Sequence, residues 1–243
     1  MTTHSNSEQN TICVIITAAG SSTRMGGSVK KEYLPLGEGT VLSSSVKAFE
    51  EASKNPEHPF TISHLIITVP AVPSGKQDAS RAVEPFVNLP APPVYVTGSD
   101  TRQKSILNAL EYVAQSGDLP KYVLIHDGAR PFISPEVIQN VIFGTIECGA
   151  AAPGINPTDT IKEIDQDGFI VKHLERSQLT AIQTPQGFVF EKLYDAHKKA
   201  AADSREYTDD SEIWGKYVGP VKLVEGNPKN IKITYAQDLR RAL

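Results

Sequence analysis

The strongest constraint in this chain is an order: through its first half, short β-branched runs alternate with segments of helical periodicity. Such alternation builds a parallel sheet through βαβ crossovers, with each helix returning over a face of the sheet. Residues 12–17 form a continuous apolar run, and further strands are predicted at 64–69, 94–96 and 122–125. Between them, Leu42, Val46 and Phe49 within 41–53, and Ile106, Leu110 and Val113 within 101–115, each fall on one helical face. Ser134-Pro135-Glu136 supplies an N-cap, a proline at the first helical position and an acidic first turn, which opens a further helix.

The pattern changes over residues 153–186. There, 160–164 and 169–174 flank Asp165-Gln166-Asp167-Gly168, a hairpin signal in place of a crossover. An antiparallel arm at about 155–182 is expected to project from the sheet. A helix over 191–202 follows, then Thr208 as an N-cap with Asp209 and Asp210 in the first turn. Strands at 221–224 and 231–234 and a terminal helix complete the reading. The predicted fold is α/β and Rossmann-like: a mostly parallel twisted sheet, helices on both faces and a projecting antiparallel β-hairpin arm. One domain, 12–243, follows a disordered tail, 1–11.

Charge narrows the partners. Lys and Arg total 24 against 28 Asp and Glu, a net charge of −4, without the broad basic excess that nucleic acid or an anionic membrane requires. Positive charge for an anionic ligand must therefore be local. The tail has no Lys or Arg and no apolar stretch, unlike a targeting peptide, and the apolar runs fall far short of the roughly 20 residues of a membrane span. Cys13 and Cys148 both sit in apolar stretches and read as buried thiols in a reducing compartment. A cytoplasmic protein with neither nucleic-acid nor membrane partners is expected.

Chemistry concentrates in residues 17–31, Thr-Ala-Ala-Gly-Ser-Ser-Thr-Arg-Met-Gly-Gly-Ser-Val-Lys-Lys, directly after the first strand. Small residues at the carboxyl end of a parallel strand let backbone N–H groups approach an anion. The spacing fits neither GxGxxG nor GxxxxGK[ST]. Arg24 and Lys31 add a cation at each end of the loop. A solvated glycine turn is the plain alternative, but its place in the sheet favours phosphate binding.

The loop resembles the Gly-x-Gly-x-Arg-Met signature of nucleotidyltransferases that join a nucleoside triphosphate to a phosphorylated sugar or polyol. Four further segments narrow the likeness: residues 126–132 (His-Asp-Gly-Ala-Arg-Pro-Phe), 183–186 (Gln-Thr-Pro-Gln), 208–210 (Thr-Asp-Asp) and 230–234 (Asn-Ile-Lys-Ile-Thr). With Asp159-Thr160-Ile161-Lys162, they resemble, in order and spacing, the 2-C-methyl-D-erythritol 4-phosphate cytidylyltransferase family, from about residue 12 to the C-terminus. Ser22, Lys30, Glu32 and Ser99 depart from the usual loop glycine, proline, glutamine and glycine. Ribitol 5-phosphate cytidylyltransferase is the near rival, and a CTP-binding protein without turnover is a more distant one; Ala129 and Thr208-Asp209-Asp210 match the first family better.

The resemblance implies attack of a substrate phosphate oxygen on the α-phosphate of CTP. A phosphate monoester is largely dianionic near neutral pH, so no protein nucleophile is needed; positioning and charge stabilisation carry the reaction. By resemblance and charge, Arg24, Lys31 and Lys232 are the catalytic candidates, although Lys232 between Ile231 and Ile233 also fits the solvent face of a strand. Asp127, at a strand end, is the candidate ligand for Mg²⁺ or another divalent cation, against the plain reading of Asp-Gly as a turn. Ala18, Ala19, Gly20, Ser99, Asp100, Ser105 and Asp127 are transferred to the nucleotide; Asp100 or Thr101 could equally cap the following helix. Thr160, Arg176, Thr184 and Thr208 are transferred to the polyol phosphate. Bare of the resemblance, Arg176 reads as a surface ion pair and a strand threonine as filler. The family's arms interlock between subunits, which implies a homodimer with Thr160 and Arg176 reaching the partner's site.

Overall fold

The computed structural model describes residues 10–21, 29–56, 59–88, 92–203 and 205–241. The first half runs β1 (Thr11–Thr17), the short pair β2 (Pro35–Leu36) and β3 (Gly39–Thr40), α1 (Val41–Ser53), β4 (Thr61–Val69), α2 (Gly75–Val83), β5 (Val94–Thr97), α3 (Arg102–Ala114) and β6 (Tyr122–Asp127). The second half runs α4 (Pro135–Cys148), β7 (Ala150–Ile155), β8 (Lys162–Ile164), β9 (Ile170–His173), β10 (Ala181–Ile182), β11 (Gln186–Val189), α5 (Phe190–Ala201), α6 (Asp210–Tyr217), β12 (Lys222–Glu225) and α7 (Ala236–Arg241).

Eight strands form the main sheet in the order β10-β7-β11-β6-β1-β4-β5, with β12 alongside β7. The strands β6, β1, β4 and β5 are mutually parallel, and β11 runs antiparallel to both β6 and β7. Because successive strand side chains face opposite ways, β1 feeds two cores. Ile12, Val14 and Ile16 pack under α1, α2 and α4; Cys13 and Ile15 pack under α3, α5 and α6. The three-layer α/β architecture with helices on both faces is as predicted, and so is the hairpin. Strands β8 and β9 pair with each other apart from the main sheet, around a turn in which Gly168 has φ +86°, a conformation that favours glycine.

Several details differ from the sequence reading. Thr11, assigned to the tail, opens β1. The connection before β5 holds α2, whose few apolar residues hide its periodicity. Strands β7, β10 and β11 lie where the chain alternates poorly; in β7, Ala151 is buried against Gly144 of α4, a place where bulk is excluded, while Ala150 packs into the core on the other face. Residues 231–234 are not a strand: the Ile233 N–H bonds the Ala129 carbonyl at 2.8 Å, outside any ladder. Asp209, not Thr208, caps α6, accepting from Glu212 N–H. Cys148 is exposed at the end of α4, whereas Cys13 is buried. No helix among the described residues is long and apolar enough to cross a membrane.

A buried relay fixes the end of β6. Thr184 Oγ1 accepts the Asp127 N–H at 3.0 Å and donates to His126 Nδ1 at 3.1 Å, while His126 Nε2 donates to the Arg130 carbonyl at 3.2 Å. This arrangement needs a neutral imidazole, and burial lowers the His126 pKa to about 4. With the folded value below the unfolded one, near 6.5, this contribution is intact above pH 6.5 and is lost as pH falls toward 4. Between pH 7 and pH 5 the loss from His126 is roughly 2 kcal/mol. Urea unfolding at several pH values should show that decline in the wild type and a flatter one in His126→Gln; equal slopes would exclude His126 as its source.

Candidate active site at the ends of the central strands

From β1 the chain moves outward to β4 and β5, then returns to β6 on the other side of β1. The loops that follow β1 and β6 therefore part in opposite directions, which opens a crevice at their carboxyl ends. Thr17 and Asp127, the last residues of the two strands, stand in register at its floor. The cleft has a volume of about 1170 Å³, above the usual range of roughly 300–1,000 Å³ for one small ligand, so it has room for two substrates side by side.

Asp127 organises this floor. Its Oδ2 lies 2.9 Å from Lys232 Nζ and 3.4 Å from Arg130 Nε, and its Oδ1 lies 3.8 Å from Arg102 Nε. Thr17 Oγ1 makes a long 3.4 Å contact to Oδ1. Burial by itself would push the carboxyl up, but Lys232, Arg102 and Arg130 together hold it well below the usual carboxylate range. Asp127 is thus ionised throughout the physiological range, within a surplus of positive charge. Arg102 also reaches Asp210 Oδ2 at 2.8 Å. Burial would lower the Arg102 pKa; Asp210 and Asp127 outweigh it and raise the value.

One of these cations, Lys232, arrives on a strap. Residues 227–234 are tied across the end of the sheet: Gln183 Nε2 donates to the Asn227 carbonyl at 2.9 Å, Arg130 Nη1 to the Asn230 carbonyl at 2.8 Å, and Asn230 Nδ2 to the Thr184 carbonyl at 2.9 Å. Lys31 Nζ donates to the Ile233 carbonyl at 2.8 Å. Lys31 and Lys232, 201 positions apart in sequence, therefore meet at the same segment. Lys30, in the place of the family's proline, pairs with Glu32 at 3.6 Å and donates to the Gly20 carbonyl.

The other end of the cleft is formed by the turn into α3. Gly98 N–H bonds the Val69 carbonyl at 2.8 Å, and a Cβ at Gly98 would lie 2.4 Å from that of Ala19, so only glycine lets the two loops come this close. Ser105 Oγ accepts Ser99 N–H at 2.9 Å and donates to the Thr101 carbonyl at 2.7 Å. Of the two capping candidates, Thr101 is the N-cap, accepting Lys104 N–H. Asp100 instead holds Ser99 Oγ and Lys104 Nζ.

Eight sequence candidates thus line one cleft: Ala19, Gly20, Lys31, Ser99, Asp100, Ser105, Asp127 and Lys232. Ala18 is buried just behind it, its N–H directed at Thr68. Arg24 lies outside the described residues. Thr184, transferred to the substrate, is buried behind Asp127 in the relay and does not line the cleft. Thr208 is exposed beside α6, with its N–H and hydroxyl both on Glu212 at 2.9 Å. Thr160 and Arg176 lie on the arm, away from the cleft lining, and Arg176 donates to the Thr158 carbonyl at 3.2 Å. Sequence reasoning missed Arg102 and Asp210 as partners. Their signals were the arginine within residues 98–105 and the second aspartate after Thr208.

For a divalent cation, the fit rests on Asp127. Among the described residues no group of three His, Cys, Asp or Glu side chains gathers, which argues against a closed metal cage. Mg²⁺, however, characteristically takes one or two carboxylates and completes its shell with water and substrate phosphates. An ionised Asp127 with only long contacts on Oδ1 suits that mode.

The chain is similar to known proteins along almost its whole length. Residues 12–243 match the family model described as 2-C-methyl-D-erythritol 4-phosphate cytidylyltransferase. The chain is 39% identical to the protein of that name from Caldanaerobacter subterraneus subsp. tengcongensis, with 94% of this chain and 95% of the relative covered. It is 35% identical to the one from Clostridium novyi, with 93% of each covered. The crystal structure of 4-diphosphocytidyl-2C-methyl-D-erythritol synthase from Anaerococcus prevotii superposes with a TM-score of 0.79 at 28% identity, covering 96% of this chain and 94% of that one. With a mostly parallel sheet and a match that runs over residues 12–243, this chain belongs to the 2-C-methyl-D-erythritol 4-phosphate cytidylyltransferase family.

Proposed function

We propose that this protein joins CTP to 2-C-methyl-D-erythritol 4-phosphate, giving 4-diphosphocytidyl-2-C-methyl-D-erythritol and pyrophosphate. The observation that carries this reading is the convergence of Lys232, Arg102 and Arg130 on Asp127 at the cleft floor, with Lys31 of the cleft lining tied to the same strap, in a chain of that family. The substrate phosphate oxygen attacks the α-phosphorus of CTP in line, and the bond to the bridging oxygen of the departing pyrophosphate breaks. Lys31 and Lys232, with Arg24 from the loop, stabilise the charge on the α-phosphate and leaving group. Asp127 would hold Mg²⁺, which when bound neutralises triphosphate charge. The turn around Ser99 and Asp100, with Ala19 opposite, reads the cytosine. A cytoplasmic location accords with two free thiols.

The test is pyrophosphate release by the purified protein with CTP, with 2-C-methyl-D-erythritol 4-phosphate or ribitol 5-phosphate as acceptor. Activity is expected with the first acceptor, and a preference for ribitol 5-phosphate would reject the assignment. With UTP, kcat/KM should fall at least about 100-fold, because the acceptor set for the cytosine amine is left unpaired; equal values would remove the Ser99 and Asp100 turn as base reader.

Lys31→Ala and Lys232→Ala should each remain folded and lose roughly 100-fold or more in kcat, the scale of one preorganised charge at a transition state. Arg24→Ala is expected to behave alike. Near-normal turnover at saturating CTP would exclude the residue concerned from the mechanism.

The arm supports a two-fold dimer. Ile164, Phe169, Ile170 and Val171 are 61%, 70%, 56% and 56% exposed, and a lone two-stranded ribbon with that much apolar surface is marginal unless covered. A second subunit's arm is the cover we assign, which carries Thr160 and Arg176 to the partner's cleft. Co-expressed heterodimers of Lys31→Ala and Arg176→Ala chains then contain one site with both lesions and one with neither, so turnover should return relative to either homodimer. Confirmed heterodimers with no recovery would reject sites shared between subunits.

A further inference from the structure

Behind the cleft wall lie two buried polar groups, His197 and Asp210, that the reaction described above does not employ. His197, on α5 and fully buried, donates Nε2–H to Asp210 Oδ1 at 3.1 Å. Asp210, also fully buried, takes Arg102 Nη2 on its other oxygen at 2.8 Å. Arg102 then faces Asp127 from 3.8 Å, outside hydrogen-bond range. One guanidinium thus stands between two carboxylates and is committed to the one that does not line the cleft.

The contact is braced at both ends. Gln103, beside Arg102, accepts Tyr207 N–H at 3.1 Å. Asp209, beside Asp210, accepts from Gln186 Nε2 of β11 at 2.8 Å, and Gln186 Oε1 accepts Ser211 N–H at 3.0 Å. The first turns of α3 and α6 are therefore clamped to one another and to the sheet.

We infer that Asp210, backed by His197, is a positioning residue for cytidylyl transfer: it draws Arg102 off Asp127, which leaves Asp127 Oδ1 open to the cleft and Arg102 N–H groups available to phosphate oxygens. The inference rests on the function proposed above. A guanidinium pairs with a carboxylate by preference through two parallel hydrogen bonds. Without the competing pull of Asp210, the Arg102 fork would close on Asp127, whose Oδ2 already carries Lys232 and Arg130. A phosphate donor and a cation-binding oxygen would be lost together.

Asp210→Asn keeps the side chain's shape and removes its charge. The expected result is a kcat lower by about 100-fold, the effect of a displaced charged group. Binding of Mn²⁺ to the enzyme with CTP and no second substrate, read from the free-ion EPR signal, should weaken several-fold. In an Arg102→Gln background the same change should alter turnover and Mn²⁺ binding by less than about twofold, because nothing is left to position. Equal losses in both backgrounds, or wild-type behaviour of Asp210→Asn, would overturn the inference. Should Asp210→Asn fail to fold, Arg102→Gln/Asp210→Asn, which loses both charges, is compared with Arg102→Gln: matched turnover and Mn²⁺ binding support the inference and a further loss overturns it. A wild-type protein that releases no pyrophosphate would sink the function itself, whereas additive losses in an active enzyme sink only the positioning role.

Discussion

A carboxylate taken out of water at the end of a central strand must be met by positive charge, and Asp127 is met three times, by Lys232, Arg130 and Arg102. Removing one partner of a buried ion pair typically costs about 3–5 kcal/mol, so the site and the stability of this end of the sheet are coupled. The three cations come from the start of α3, the turn after β6 and the strap near the C-terminus. Satisfying one buried charge thus gathers separated parts of the chain around the same floor. The surplus of cations over carboxylate concentrates positive charge at this floor, in a protein whose net charge is −4.

The surroundings hold that floor still. β1 and β6 are buried from both faces, packed beneath helices on each side, and their ends are fixed in register. The His126 and Thr184 relay sets the backbone of Asp127 from behind, while the Arg102 and Asp210 contact sets the wall from the side. Functional side chains on loops gain precision from such supports. The consequence is that buried residues outside the cleft, Thr184 and Asp210 among them, govern the geometry of those inside it.

The arm follows a different logic. It leaves the sheet at the end of β7 and rejoins it at β10, and among the described residues β8 and β9 contribute nothing to the apolar clusters. Its apolar side chains are therefore exposed, in contrast to the strands of the main sheet, whose apolar residues are used internally.

Local periodicity and turn chemistry were enough to place β1, α1, α3, β6, α4 and the hairpin, because each buries a regular face or carries a strong cap: Leu42, Val46 and Phe49 recur at helical spacing, and Ser134-Pro135 starts α4. The Asp127, Lys31 and Lys232 positions came from charge and from the resemblance of their segments to a family, since by local pattern alone Lys232 fitted the solvent face of a strand and Asp127 an ordinary turn. What the sequence could not express was set by tertiary contact. Ala150–Ile155 is a strand because β11 and β12 flank it and α4 covers it, although its residues lack strand character. Residues 231–234 alternate like a strand yet become a strap, because Ala129 takes the Ile233 N–H, Lys31 the Ile233 carbonyl and Arg130 the adjoining Asn230 carbonyl. Thr184 turned inward, and Arg102 and Asp210 came together across 108 positions. Periodicity reports which face of a segment is buried; which charge neutralises a buried charge is decided only when distant segments share one low-dielectric space.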